Sequence, residues 1–173
     1  MMPGGRRPSQ VAARPAVDGL GRLPDHAGVP GDPLTAIRER TQSNLFWRHL
    51  GVEVDDAGEG WVRLRVTVRD ELRNGPGAPL HGGVLSALVD MAVGGALATT
   101  QERAGGGVDQ TTLDLNVSFL SAATTGPVLA EARLLRRGRS IAFGDVRITD
   151  EAGRVLAVGR ATYMILAPRP ASP

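Results

Sequence analysis

The hydrophobic pattern divides the chain into three unequal parts. Residues 1–33 hold many Pro and Gly without a sustained period, and four Arg nearly cancel three Asp, the composition of a disordered tail. Residues 34–167 carry recurring apolar positions and are expected to form one folded domain, with 168–173 a short C-terminal tail. Asp32-Pro33 is a helix start, since Asp caps free N–H groups and Pro tolerates the first helical position. The helix is predicted to run to about His49 and stop at Gly51, with Leu34, Ile37, Leu45, Phe46 and Leu50 on its apolar side.

Residues 61–69 alternate strictly, which predicts a half-buried strand with Arg63, Arg65 and Arg69 facing outward. A short strand at 51–55 is expected to pair with it across a turn at 56–60. After a loop at 70–81 containing Asn74, Gly75, Pro76, Gly77 and Pro79, residues 82–100 read as one helix. Four strands follow, at about 109–120, 126–137, 140–150 and 154–166, separated by Gly-containing turns. Strands grouped around one apolar helix define an α+β class, an antiparallel sheet wrapped around a long central helix.

Composition narrows the chemistry. The pI near 10.3 suggests a nucleic-acid partner, but all 20 basic residues are Arg and 18 acidic residues nearly balance them, for a net charge of +2. With no Lys, no Cys and one Tyr, almost nothing titrates between neutral pH and the Arg range, so the pI overstates the basicity. Two Trp, one Tyr and three Phe offer no stacking platform, and no nucleic-acid partner is expected. Lack of Cys removes thiol nucleophiles and cysteine zinc sites, and lack of Lys removes Schiff-base chemistry. No metal and no separate cofactor are expected. The longest apolar stretch, 84–98, is too short to span a bilayer and contains Asp90. Residues 1–17 lack the apolar run of a secretory signal, so a cytoplasmic location is the expectation.

The helix from Val84 to Ala98 is apolar around nearly its whole circumference, the mark of a buried helix. Ser86 and Asp90 are its clearly polar side chains and, four apart, share one stripe. A carboxylate there needs a partner or a solvated cleft, so Asp90 is either a reactive group or half of a structural pair. His81-Gly82-Gly83 opens the helix. The glycines either form a tight turn or let a ligand approach Gly82 and Gly83 N–H groups at the positive end of the helix dipole, where an oxyanion is stabilised. Gly82 and Asp90 are eight residues apart, about 12 Å along a helix axis. One reacting carbonyl cannot meet both on a single helix. Joint action needs two antiparallel copies, hence a two-fold dimer with two shared sites.

The run from His81 to Asp90 resembles the HGGxxxxLxD motif of PaaI-type hotdog-fold acyl-CoA thioesterases. The resemblance covers about residues 44–166 and extends to Asn44-Leu45-Phe46-Trp47, Thr112-Leu113-Asp114-Leu115-Asn116 and Gly138-Arg139-Ser140-Ile141-Ala142-Phe143. It implies a hotdog fold, an acyl-CoA substrate, and hydrolysis to a carboxylic acid and coenzyme A. Asp90 would act as nucleophile or general base, Gly82 N–H would hold the thioester carbonyl, Asn74 would help, and His81 would order the loop. Thr112 would orient the water with Asp90. Asn74 stands seven residues before His81, one more than the family pattern, and Thr112 replaces a frequent Ser. Arg136, Arg137 and Arg139 around Gly138 either form a solvated basic turn or hold coenzyme A phosphates by bidentate contacts. A homodimer is the expected minimum, with a homotetramer the expected assembly. The rival readings are a non-catalytic acyl-CoA-binding module and an enoyl-CoA hydratase.

Overall fold

The computed structural model describes residues 33–100 and 110–166. The two expected tails lie outside these residues, apart from Pro33. Helices α1 (Pro33–Ser43) and α2 (Leu45–Leu50) lead into strands β1 (Glu53–Gly58) and β2 (Trp61–Thr67). A 3-10 turn at Asp70–Leu72 precedes the long helix α3 (Gly82–Ala98). Strands β3 (Gln110–Phe119), β4 (Pro127–Arg137), β5 (Ile141–Asp150) and β6 (Val155–Ile165) complete the chain. All six strands form one antiparallel sheet in the order β1-β2-β4-β5-β6-β3, so β1 and β3 are its edges.

The single N-terminal helix expected from the pattern is two helices. Asn44 breaks it: its backbone is extended (φ −85, ψ 115), and its side chain accepts from the N–H groups of Phe46 and Trp47. That cap satisfies two free donors at the start of α2. The break also turns the apolar side. Ile37, Trp47 and Leu50 are buried, whereas Leu45 is 76% exposed and Phe46 55%. Gly51 ends α2 in the left-handed region (φ 68), as expected of a C-terminal glycine. Arg69, expected on the outer face of a strand, lies beyond the end of β2. Its guanidinium instead donates to the carbonyls of His49 and Leu50 at the end of α2.

Val62, Leu64 and Val66 of β2 are fully buried, and the strict alternation of the sequence is the cause. They pack with the inward residues of β4, β5 and β6 against α3, whose Leu88, Val89, Ala92, Val93, Ala96 and Leu97 have no exposed surface. The described helices include none long and apolar enough to cross a membrane. Thr99 fastens the far end of α3 by accepting from Gly60 N–H at 2.8 Å and donating to Ala96 O at 2.7 Å.

Close seating of α3 depends on glycines in the sheet. A Cβ on Gly159 would come within 2.8 Å of both Val89 Cγ1 and the backbone oxygen of Asn116. The backbone neighbour cannot swing away, so Gly159→Ala must displace β3 or the helix. It is expected to destabilise the fold by about 1–3 kcal/mol, read as a lower urea midpoint at unchanged slope.

Candidate active site

The α3 N-terminus is built by His81. Its backbone is extended (φ −64, ψ 133), and its Nδ1 accepts the Gly83 N–H at 2.8 Å. Its own N–H donates to Leu72 O at 2.8 Å, which ties the helix to the loop before it. Arg73 holds the other side of that loop through Ala78 O, Thr124 O and the Asp70 carboxylate. The two glycines are therefore not equivalent. Gly83 has given its N–H to His81, while Gly82 N–H has no acceptor among the described residues. The ring of Phe119, itself 55% exposed on the edge strand β3, flanks Gly82. Ser86, on the same stripe as Asp90, returns its hydroxyl to Gly82 O at 3.2 Å.

Two helical turns further on, Asp90 is half-buried. Thr112 Oγ1 donates to its Oδ1 at 2.6 Å. A shift in the β3–β6 register between Thr112 and Asp114 leaves Thr112 opposite Tyr163 on the face that meets α3. Tyr163 Oη lies 2.7 Å from the same Oδ1 and 2.8 Å from the Asp90 main-chain oxygen. Burial pushes the Tyr163 phenol well above its ordinary range, and the adjacent carboxylate adds to the effect. A cleft of about 220 Å³ opens beside Asp90 and is lined by Arg40, Asn44, Gln110, Thr112 and Tyr163.

The structure thus brings Asp90 and Thr112 together, and sets His81, Gly82 and Gly83 at the other end of the same helix. Asn74 lies in the exposed loop before α3, where its Nδ2 donates to Pro79 O at 3.3 Å. The three arginines diverge. Arg136 stands opposite Phe143 and borders a cleft on the outer face of the sheet. Arg137 stands opposite the buried Ala142, and its Nε is buried without a hydrogen-bond partner among the described residues. Arg139 is exposed in the turn. Sequence reasoning missed Tyr163, Gln110 and Arg40. The signal for Tyr163 is its position as the one large polar-tipped residue on an inner face otherwise made of Ala157, Gly159 and Ala161.

One long helix against a six-stranded antiparallel sheet is the hotdog fold, here with a carboxylate halfway along the helix and a free N–H at its start. Residues 79–157 match the Thioesterase superfamily. Human acyl-coenzyme A thioesterase 13 is 33% identical over 129 residues, covering 73% of this chain and 89% of that protein. A solved thioesterase of Haemophilus influenzae is 27% identical with a TM-score of 0.71, covering 81% of this chain and 94% of that one. The PaaI protein from the phenylacetic acid degradation operon of E. coli shares the fold, with a TM-score of 0.70 at 20% identity over 79% of this chain and 94% of that one. The chain belongs to the thioesterase superfamily.

Proposed function

We propose that the protein hydrolyses an acyl-CoA thioester to a carboxylic acid and coenzyme A, in two sites that two subunits share. The observation that carries this reading is the pairing of an anchored carboxylate, Asp90, with an uncommitted helix N-terminal N–H, Gly82, on one helix. Their eight-residue spacing, about 12 Å, places them in different sites unless a second, antiparallel α3 lies alongside. The edge strand β3 and the residue after it offer the surface for that copy, with Leu113, Leu115, Phe119 and Leu120 exposed along it and the Phe119 ring against Gly82.

In this mechanism Gly82 N–H and the helix dipole hold the thioester oxygen as it gains charge. Asp90 of the other subunit attacks the carbonyl carbon or takes a proton from water held with Thr112. The C–S bond then breaks, and the sulfur leaves with the electron pair and takes up a proton to give coenzyme A; on the direct route, water then opens the anhydride formed with Asp90 and releases the acid. His81 orders the oxyanion end by fixing Gly83. Asn74 precedes that end on the loop and assists there, while Gly83, lacking a Cβ, leaves room for the His81 ring that accepts its N–H beside the substrate. Arg139, exposed in the turn between β4 and β5, and the terminal nitrogens of Arg137 beside it receive the phosphates, while Arg136 faces the cleft on the outer side of the sheet.

The test is thiol release across a panel of alkyl- and aryl-acyl-CoA substrates. Turnover of at least one, with equimolar acid and free thiol, is expected. Tight binding of the panel with no thiol release would instead make the protein an acyl-CoA-binding module. Hydration of crotonyl-CoA without thiol release would make it a hydratase.

A further inference from the structure

Tyr163 is the only tyrosine in the chain and is 5% exposed. A buried phenol needs one hydrogen-bond partner, and the main-chain oxygen of Asp90 at 2.8 Å would satisfy it. Its Oη nevertheless also reaches Asp90 Oδ1, the oxygen that Thr112 already binds. Both hydroxyls converge on Oδ1, and Oδ2 has no donor among the described residues. Space for the phenol comes from α3 itself: a Cβ on Gly94 would lie 2.8 Å from Tyr163 Oη and 2.9 Å from Gln110 Nε2.

We infer that Tyr163 is a positioning residue for Asp90, which together with Thr112 fixes Oδ1 and presents Oδ2 as the reacting oxygen, in a space that Gly94 keeps open. The inference rests on the reading of Asp90 given above. A carboxylate held by one donor still swings about its Cβ–Cγ bond. Thr112 donates to Oδ1, and the single phenol proton is shared between Oδ1 and the residue's own main-chain oxygen, so the two hydroxyls together hold the side chain and aim the remaining lone pairs. The phenol keeps its proton because burial disfavours the phenolate, so Tyr163 remains a donor and takes no proton in the reaction.

Tyr163→Phe keeps the ring and removes only the donor. It is expected to lower kcat roughly ten- to hundredfold, the effect of one hydrogen bond to a charged group. KM should stay within about threefold, since ground-state binding is untouched. Gly94→Ala, which improves helix propensity, should reproduce the loss in kcat by pushing the hydroxyl aside. A second measurement uses the wild-type sequence. Growth on 3-fluorotyrosine labels this position alone, and its fluorine resonance should shift in Asp90→Asn, where the charged group beside the phenol is lost. The inference is overturned if Tyr163→Phe leaves kcat within twofold of wild type, or if the resonance is the same in Asp90→Asn as in the wild type. If Asp90→Asn itself retains turnover, the reading of Asp90 fails; if it is inactive while Tyr163→Phe is normal, the positioning role alone fails.

Discussion

Asp90→Asn is expected to cut kcat by roughly 10² to 10⁴ on every acyl-CoA that the wild type cleaves, the range of a lost base or nucleophile. The substitution is nearly isosteric. An Asn oxygen accepts from Thr112 Oγ1 and Tyr163 Oη as the carboxylate does, so the helix, the cleft and the assembly should persist. The loss should therefore fall on kcat, with acyl-CoA binding by calorimetry close to wild type. Retention of full activity would remove Asp90 from the chemistry. A single turnover in H₂¹⁸O tests for the direct route of the wild-type carboxylate. Label in the product acid means that water attacked the acyl carbon, either of the thioester or of an anhydride with Asp90. Label on Asp90 means that the carboxylate attacked first and water opened the resulting anhydride at the side chain.

The parts of this site that were legible in the sequence are those encoded by local spacing. Eight apolar residues around one helix exclude solvent from most of its surface, so a lone Asp within it stands out. The same applies to the glycine pair, because a helix start is a local event. The inner-face contacts depend instead on strand pairing, and register is set by the whole sheet. Thr112 meets Tyr163 across β3 and β6 only because the ladder shifts near Leu113, and no local period marks that shift. Tyr163 is 73 residues from Asp90, so its role was hidden until β6 was placed beside β3. Asn44 is a different case. Its capping bonds are local, but they fall inside an apolar pattern continuous enough to pass for one helix. A side chain that competes for backbone N–H groups won over that pattern, exposing Leu45 and Phe46 and burying Trp47.

Gly82→Pro should remove the oxyanion donor while sparing the helix. Proline suits the first helical position because the N–H it lacks has no acceptor within the helix. His81, the preceding residue, already has the extended backbone (φ −64, ψ 133) that a following proline demands. The thermal midpoint should therefore stay close to wild type, and kcat should fall by roughly 10² to 10³, the effect of losing one oxyanion donor. Combining this variant with Asp90→Asn tests the shared site directly. In a mixed dimer with one Gly82→Pro chain and one Asp90→Asn chain, one site collects both lesions. The other receives an unaltered Gly82 and an unaltered Asp90. Two nearly inactive proteins, co-expressed with different tags and purified as the mixed species, should regain about half the wild-type turnover per dimer if each site draws on both subunits of a two-fold pair. A site built within one chain leaves one lesion in each copy and restores nothing, so failure to recover would rule out the shared arrangement while leaving the roles of the two residues intact.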